Sequence, residues 1–172
     1  MRYAQITPFE VCNGKGAGVS LFVQGCPFHC KGCFNPETWN FEKGKEWTNE
    51  VENTFFELVD QPYIKRVSIL GGEPLAKENI EEVLRLMKKI RHLYGDKKEI
   101  WLYTGYELGC LLDTFPAHTL KFRNYLISHC DYIIDGEYID SLKDTTLKFR
   151  GSSNQRIWKQ QNGLWKQIKD KE

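Results

Sequence analysis

Gly25-Cys26-Pro27-Phe28-His29-Cys30-Lys31-Gly32-Cys33-Phe34-Asn35 is the stretch from which the rest of the chain is read. Its three cysteines stand at C-x3-C-x2-C spacing within one short loop. Soft thiolates select copper(I), zinc or iron–sulfur clusters. A closed cluster usually takes four cysteines, and no fourth lies in this loop. The spacing therefore predicts a cluster with one iron left open for a small ligand. Immediately upstream, Val19-Ser20-Leu21-Phe22-Val23-Gln24 is nearly all apolar and rich in β-formers. Such a run suits a strand buried on both faces of a parallel sheet. The cysteine loop thus leaves the C-terminal end of a core strand.

Upstream again, Arg2–Phe9 reads as a short extended segment, and Asn13-Gly14-Lys15-Gly16-Ala17-Gly18 as a flexible turn. Downstream, Trp39–Trp47 is a polar, aromatic linker. A helix is expected from near Asn49 to about Asp60, with Glu52 completing a capping box, and Pro62 stops it. Arg66–Leu70 is the next strand and ends in Gly71-Gly72-Glu73-Pro74. Glu78–Leu93 predicts a helix, with Ile80, Val83, Leu84, Met87, Ile90 and Tyr94 close to one face. Glu99–Tyr103 is a third strand, followed by Thr104-Gly105-Tyr106. Glu107–Asp113 and Thr119–Ser128 read as helical pieces around Pro116, and Asp131–Asp135 as a fourth strand ending at Gly136. Arg156–Lys159 and Leu164–Ile168 predict a closing hairpin around Asn162-Gly163. The alternation predicts an α/β fold with a parallel sheet and right-handed crossovers. Each conspicuous motif follows a strand's C-terminal end, the edge where such folds carry ligand sites.

The 172 residues favour a single domain, 1–172, able to bury a core without disulfides. A net charge of +1 provides no broad field for nucleic acid or an anionic membrane. No apolar run reaches the ~18 residues that span a bilayer, and Met1–Gln5 lacks the apolar run of a signal peptide. The expected location is cytoplasmic, where thiols stay reduced. The six cysteines are accordingly read as ligands and buried thiols. A zinc site completed by His29, Cys12, Cys110 or Cys130 is the bland alternative, but structural zinc prefers paired C-x2-C knuckles and only one is present.

Cys26, Cys30 and Cys33 resemble the signature of the radical S-adenosylmethionine superfamily. The resemblance implies that they bind three irons of a [4Fe–4S] cluster. It implies too that the amino and carboxylate groups of S-adenosylmethionine take the fourth iron. One-electron cleavage then releases a 5′-deoxyadenosyl radical. Gly71-Gly72-Glu73-Pro74 is similar to the superfamily motif that grips the methionine ammonium. Glycines let carbonyls approach closely, and Glu73 adds a charge-assisted partner. The superfamily often has an aromatic before the third cysteine. Here Gly32 stands there and Phe34 follows, so adenine would be met by the backbone of Gly32, Cys33 and Phe34. The implied fold is a partial, open TIM-like barrel of parallel strands with outer helices. Its cluster loop follows the first core strand; the core is about 16–136 and a small C-terminal extension about 137–172.

Within the superfamily, several stretches resemble the activating enzymes of anaerobic ribonucleoside-triphosphate reductases. They are Asn13-Gly14-x-Gly16, Leu21–Cys26, Gly32–Asn35, Gly71–Leu75, Leu102–Tyr106, Ile134–Gly136 and Arg150–Arg156. The resemblance implies hydrogen abstraction from a glycine in the reductase's C-terminal segment and a flavodoxin-type electron donor. No side chain need act as acid or base, since the cofactor carries the chemistry. Alternatives are an activase of another glycyl-radical enzyme such as pyruvate formate-lyase, a small-molecule radical enzyme, and a non-enzymatic zinc or iron–sulfur module.

The remaining residues carry paired readings. His29 is expected to order the loop as a hydrogen-bond donor. Cys12, Cys110 and Cys130 read as small buried hydrophobes. Thr104 is either a cofactor contact from the same edge or a turn hydroxyl, and Asp135-Gly136 divides the same way. Arg150-Gly151-Ser152-Ser153-Asn154-Gln155-Arg156 holds a carboxylate or a partner's backbone, or else is a solvated turn. The five tryptophans suggest core and lid roles rather than a nucleic-acid stacking platform. Lys166–Lys171 reads as a solvated tail.

Overall fold

A computed structural model describes residues 1–113, 125, 126 and 128–169. Among them, eight strands form one mixed sheet: β1 (Arg2–Glu10), β2 (Gly18–Val23), β3 (Lys45–Glu46), β4 (Arg66–Gly71), β5 (Glu99–Tyr103), β6 (Tyr132–Asp135), β7 (Arg156–Gln161) and β8 (Leu164–Ile168). The spatial order is β3-β1-β2-β4-β5-β6-β7-β8. The strands β2, β4, β5 and β6 are mutually parallel. Helix α1 (Asn49–Val59) joins β2 to β4, α2 (Ile80–Tyr94) joins β4 to β5, and α3 (Leu108–Asp113) follows β5.

The all-parallel sheet expected from the sequence is corrected at both flanks. β1 pairs antiparallel with β2 and β3, and β7 with β6 and β8. Short connections cannot carry a parallel crossover, so the Gly-rich turn and the last hairpin must reverse the chain. At the hairpin tip Asn162 and Gly163 both have positive φ, 50° and 82°, as a two-residue turn of this hand requires. Thr119–Ser128 lies largely outside the described residues, though Tyr125, Leu126, Ser128 and His129 are helical. Lys166–Ile168 belongs to β8 rather than to a tail, and residues 170–172 lie outside the described set. Among the described residues no helix is long and apolar enough to cross a membrane.

The two faces of the parallel strands differ in chemistry. One face carries Val19, Leu21, Val23, Val67, Ile69, Ile100, Leu102 and Ile133, all wholly buried with Phe55 and Val59 of α1 and Val83, Leu86, Met87 and Ile90 of α2. Each such side chain contributes roughly 1.5–3 kcal/mol. Thr48 caps α1 by accepting from Val51 N. The expected capping box is not formed, because Glu52 instead accepts from Trp47, Arg85 and Lys89.

On the opposite face the ladder register stacks side chains in layers. Gly18 and Arg66 are lowest, then Ser20, Ser68, Trp101 and Tyr132, then Phe22, Leu70, Tyr103 and Ile134. Arg66 is fully buried and donates at 2.6 Å to both Glu10 Oε1 and Ser68 Oγ. Ser20 Oγ donates to Glu10 and accepts from Asn13 Nδ2. Burial opposes the charge of Glu10, but Arg66, Ser20 and the Asn13 N–H outweigh it and hold the carboxyl below its ordinary range. Gly14 closes this network from below: at φ 138° its backbone lies on Arg66 and Trp101, where a Cβ would come within 2.8 Å of both. In the segment expected to be a flexible turn, Asn13 and Gly14 therefore pack on this network, while Lys15 and Gly16 stay exposed.

Candidate active site

The parallel strands end at Val23, Gly71, Tyr103 and Asp135 along one sheet edge. A cavity of about 520 Å³ opens there. Cys26, Cys30 and Cys33 line one side, Gly71, Gly72 and Glu73 another, and Phe22, Leu70, Tyr103 and Ile134 its floor. This size and mixed lining suit a small-molecule cofactor. Gly32 and Pro74 do not reach the cavity surface, whereas Cys33, Phe34 and Thr104 do.

The cysteine loop is anchored at its root. Gly25 N donates to Thr38 O at 2.7 Å and Cys26 N to Trp39 O at 3.0 Å. Gly25 has φ 95°, and a Cβ there would sit 2.0 Å from the Phe41 ring. Within the loop, Cys33 N donates to Cys30 O, and Asn35 N reaches Cys33 Sγ at 3.4 Å. Burial pushes the Cys26 thiol up to about 11, against the opposing N–H groups of Phe28 and His29. Burial likewise raises Cys30. Metal binding must take the protons from these thiols, and the N–H groups on Cys26 favour the thiolate so formed. His29, at φ 50°, lays its ring 4.9 Å from that of Trp39. It orders the loop through this ring contact rather than as the expected hydrogen-bond donor.

The glycine turn is hydrogen-bonded directly to the cysteine loop. Gly72 N donates to Val23 O at 2.9 Å and Glu73 N to Gly25 O at 2.8 Å. A Cβ on Gly72 would come within 2.4 Å of Gly25 O, so only glycine allows this approach. The Glu73 carboxylate is 1% exposed and is met by three protein donors: Leu75 N at 2.8 Å, Thr104 Oγ1 at 2.8 Å and Gly105 N at 2.7 Å. Burial pushes its carboxyl up to about 7 despite these bonds. A carboxylate has about four acceptor sites, so Glu73 mainly ties the turns after β4 and β5 together. Thr104 also accepts from Tyr106 N, so its hydroxyl is bonded both within its own turn and to Glu73.

The C-terminal segment supplies the far wall, with Tyr138, Asp144, Leu147, Phe149, Arg150 and Gln155 on the cavity. Asp140 explains Gly32: a Cβ at Gly32, which has φ 74°, would lie 2.5 Å from Asp140 Oδ1. Phe34 packs instead on Tyr138, ring centroids 5.2 Å apart, with Lys143 Nζ 5.3 Å from its own. Gln155 Oε1 accepts from Gly151 N and Ser152 N, while Nε2 donates to Gly136 O. The Arg150–Arg156 stretch is thus an internally bonded wall rather than a solvated turn. Arg156 is spent on Asp135, with Nε to Oδ1 at 2.9 Å and Nη2 to Oδ2 at 2.6 Å. Asp135 is wholly buried and also accepts from Leu108 N, so it is a structural anchor.

The family described as a 4Fe-4S single cluster domain matches residues 12–158. Three relatives each carry the name anaerobic ribonucleoside-triphosphate reductase-activating protein. That of Vibrio cholerae is 38% identical over 159 residues, covering 91% of this chain and 97% of its own. That of phage T4 is 36% identical over 166 residues, covering 96% and 99%. That of Escherichia coli K12 is 35% identical over 159 residues, covering 91% and 97%. The chain belongs to the anaerobic ribonucleoside-triphosphate reductase-activating protein family. The matched span includes the cysteine loop, the glycine turn and the far wall.

Several features of the chain were hidden in the sequence. Cys130 is buried as expected, its Sγ donating to Tyr132 O at 3.1 Å. Cys12 and Cys110 are instead exposed, and Cys12 lines the cavity. Cys12 lies just after β1, before the glycine-rich segment, and Cys110 lies on the short helix α3. The closure of the cavity by 137–155 had only one signal, the density of small and amide residues in Gly151–Gln155 that can bond to main chain.

Proposed function

We propose that this chain activates an anaerobic ribonucleoside-triphosphate reductase by installing a glycyl radical on it. Cys26, Cys30 and Cys33 would hold a [4Fe–4S] cluster, and the cavity would hold S-adenosylmethionine beside it. Once reduced by an external one-electron donor, the cluster would supply the electron for cleavage of S-adenosylmethionine to methionine and a 5′-deoxyadenosyl radical, and that radical would take a hydrogen atom from a reductase glycine. The observation that carries this reading is the pair of bonds from Gly72 N to Val23 O and Glu73 N to Gly25 O. They fix the glycine turn beside the three-cysteine loop on one cavity.

The donor set suits a cluster: three soft thiolates, Cys26, Cys30 and Cys33, line one side of a single cavity. The Gly71-Gly72 backbone, with Glu73 and Pro74 behind it, would take the methionine ammonium. Thr104 would position Glu73. The backbone of Gly32, Cys33 and Phe34 would face adenine, and Phe28, Phe34 and Phe149 would exclude water.

Finer expectations belong to the same proposal. The four parallel strands would form the open part of a TIM-like barrel. The chain would be one domain, 1–172, with a core of about 16–136 and an extension of about 137–172. The protein would work in the cytoplasm with a flavodoxin-type donor, and the target would be a glycine in the reductase's C-terminal segment.

The test is electron paramagnetic resonance after anaerobic reconstitution with iron and sulfide. The protein is incubated with a reductant, S-adenosylmethionine and either the reductase or pyruvate formate-lyase. A glycyl signal on the reductase is expected. A signal on pyruvate formate-lyase alone, or stoichiometric zinc in place of iron, would overturn the reading.

A further inference from the structure

We infer that Tyr138 and Asp140 are positioning residues for the cluster: they seat the Cys30–Cys33 turn on the C-terminal wall so that a main-chain N–H of the wall meets Cys30 Sγ. The inference rests on the cluster reading proposed above. The cysteine loop is anchored at its root through Gly25 N and Cys26 N, but its Lys31-Gly32 tip is exposed. Support for the tip comes from the wall.

Several contacts from the wall converge on this turn. Asp140 Oδ1 lies over Gly32, so closely that a Cβ there would fall 2.5 Å from it. The same oxygen accepts from Tyr138 Oη at 3.1 Å, which fixes the carboxylate where Gly32 meets it. The Tyr138 ring in turn packs on Phe34, the residue after Cys33, with centroids 5.2 Å apart. Tyr138 lines the cavity together with Cys30 and Cys33. Its N–H reaches the Cys30 sulfur: burial raises that thiol, this N–H offsets part of the rise, and the Glu137 charge adds to it.

The wall is itself fixed. Ile139 N donates to Ser152 Oγ at 3.2 Å, Ser153 N to Leu142 O at 2.9 Å and Asp144 N to Gly151 O at 3.2 Å. Gly151 lies against both rings, where a Cβ would come within 2.7 Å of Phe34 and 3.1 Å of Tyr138. A firm donor matters because hydrogen bonds to the sulfurs help to set a cluster's reduction potential, and such outer partners orient the ligands. An N–H on a thiolate favours the more negative, reduced state. A cluster held by these cysteines would therefore owe part of its potential to a segment distant in sequence.

The test is a redox titration of the reconstituted protein and its variants, followed by electron paramagnetic resonance. Tyr138→Phe keeps the ring and the net charge and loses only the bond to Asp140. Its midpoint should fall by ~40 mV, about a five-fold shift in a one-electron equilibrium. Asp140→Ala and Asp140→Asn remove the same charge, but only asparagine keeps an acceptor for Tyr138 and the volume over Gly32. Alanine should therefore lie below asparagine by a similar amount and lose iron to a chelator several-fold faster. Tyr138 is half-buried and Asp140 exposed, so each variant should fold with the wild-type circular dichroism spectrum. Equal midpoints for the two Asp140 variants, or a Tyr138→Phe midpoint at the wild-type value, overturn the assignment. A wild-type protein that retains no iron overturns the cluster reading as well, which separates the two failures.

Discussion

Thr104 Oγ1 donates to Glu73 Oε1 at 2.8 Å, and through this bond the turns after two neighbouring strands are held as one unit. Thr104 is itself buried. Replacing it by valine keeps the shape and leaves a buried carboxylate short of one donor. Thr104→Val should cost about 1–3 kcal/mol of stability. It should also weaken S-adenosylmethionine binding several-fold. Thermal unfolding and anaerobic titration check the two effects, and Thr104→Ser should restore most of both.

Gly72 and Gly109 make opposite predictions for the same substitution. At Gly72 a methyl group meets the Gly25 carbonyl, which is backbone and cannot step aside. Gly72→Ala should cost about 1–3 kcal/mol and reduce the iron retained after reconstitution. At Gly109, in α3, nothing lies within 4 Å of the added carbon. Gly109→Ala should be neutral or stabilise by about 0.5–1 kcal/mol. Equal effects at the two sites would contradict this account of the glycine turn.

The cysteines divide into two groups. Cys26→Ala, Cys30→Ala and Cys33→Ala should each take iron content from about four per chain to near zero and abolish S-adenosylmethionine cleavage. Cys12→Ala and Cys110→Ala should spare both. Cys12 is the sharper control, since it lines the same cavity. Iron analysis and absorbance spectra on anaerobically purified variants decide the matter.

Acid should weaken the protein partly through Glu52. Burial opposes its charge, yet hydrogen bonds from Arg85, Lys89 and Trp47 prevail and hold the carboxyl at about 2, below its ordinary 4.5. A lowered folded-state value means stability fully present above about pH 4.5 and lost as pH falls toward 2. The half-exposed Arg85 reduces the worth of this pair through solvent screening, leaving about 1–2 kcal/mol. Urea midpoints measured from pH 6 to pH 3 should fall less steeply in Glu52→Gln than in the wild type.

Much of the fold was legible because local chemistry sufficed. The runs Val19–Gln24, Arg66–Leu70, Glu99–Tyr103 and Asp131–Asp135 read as strands from β-formers and length alone. The apolar positions of α2 recur at helical spacing, and Asn162-Gly163 demands a tight turn. What the sequence hid were partners distant along the chain. Glu52 has the spacing of a capping residue, yet Arg85 and Lys89 of α2, more than thirty positions away, draw its carboxylate elsewhere. Asn13–Gly18 has the composition of a loose turn, yet its Gly14 packs closely on Arg66 and Trp101.

The amino-acid sequence by itself determined the three-cysteine loop, its place at a strand's C-terminal end and the glycine turn on the next core strand. Spacing along a short loop and the direction of parallel strands are local constraints, so they survive without coordinates. Tertiary structure alone decided that Glu73 faces inward to Thr104 and Gly105, that Asp140 excludes a side chain at Gly32, and that residues 137–155 close the cavity. Each of these depends on which buried groups find hydrogen-bond partners or free volume across segments far apart in sequence. Burial compels such pairing wherever a polar group leaves water, but the partner is chosen only when the chain has folded.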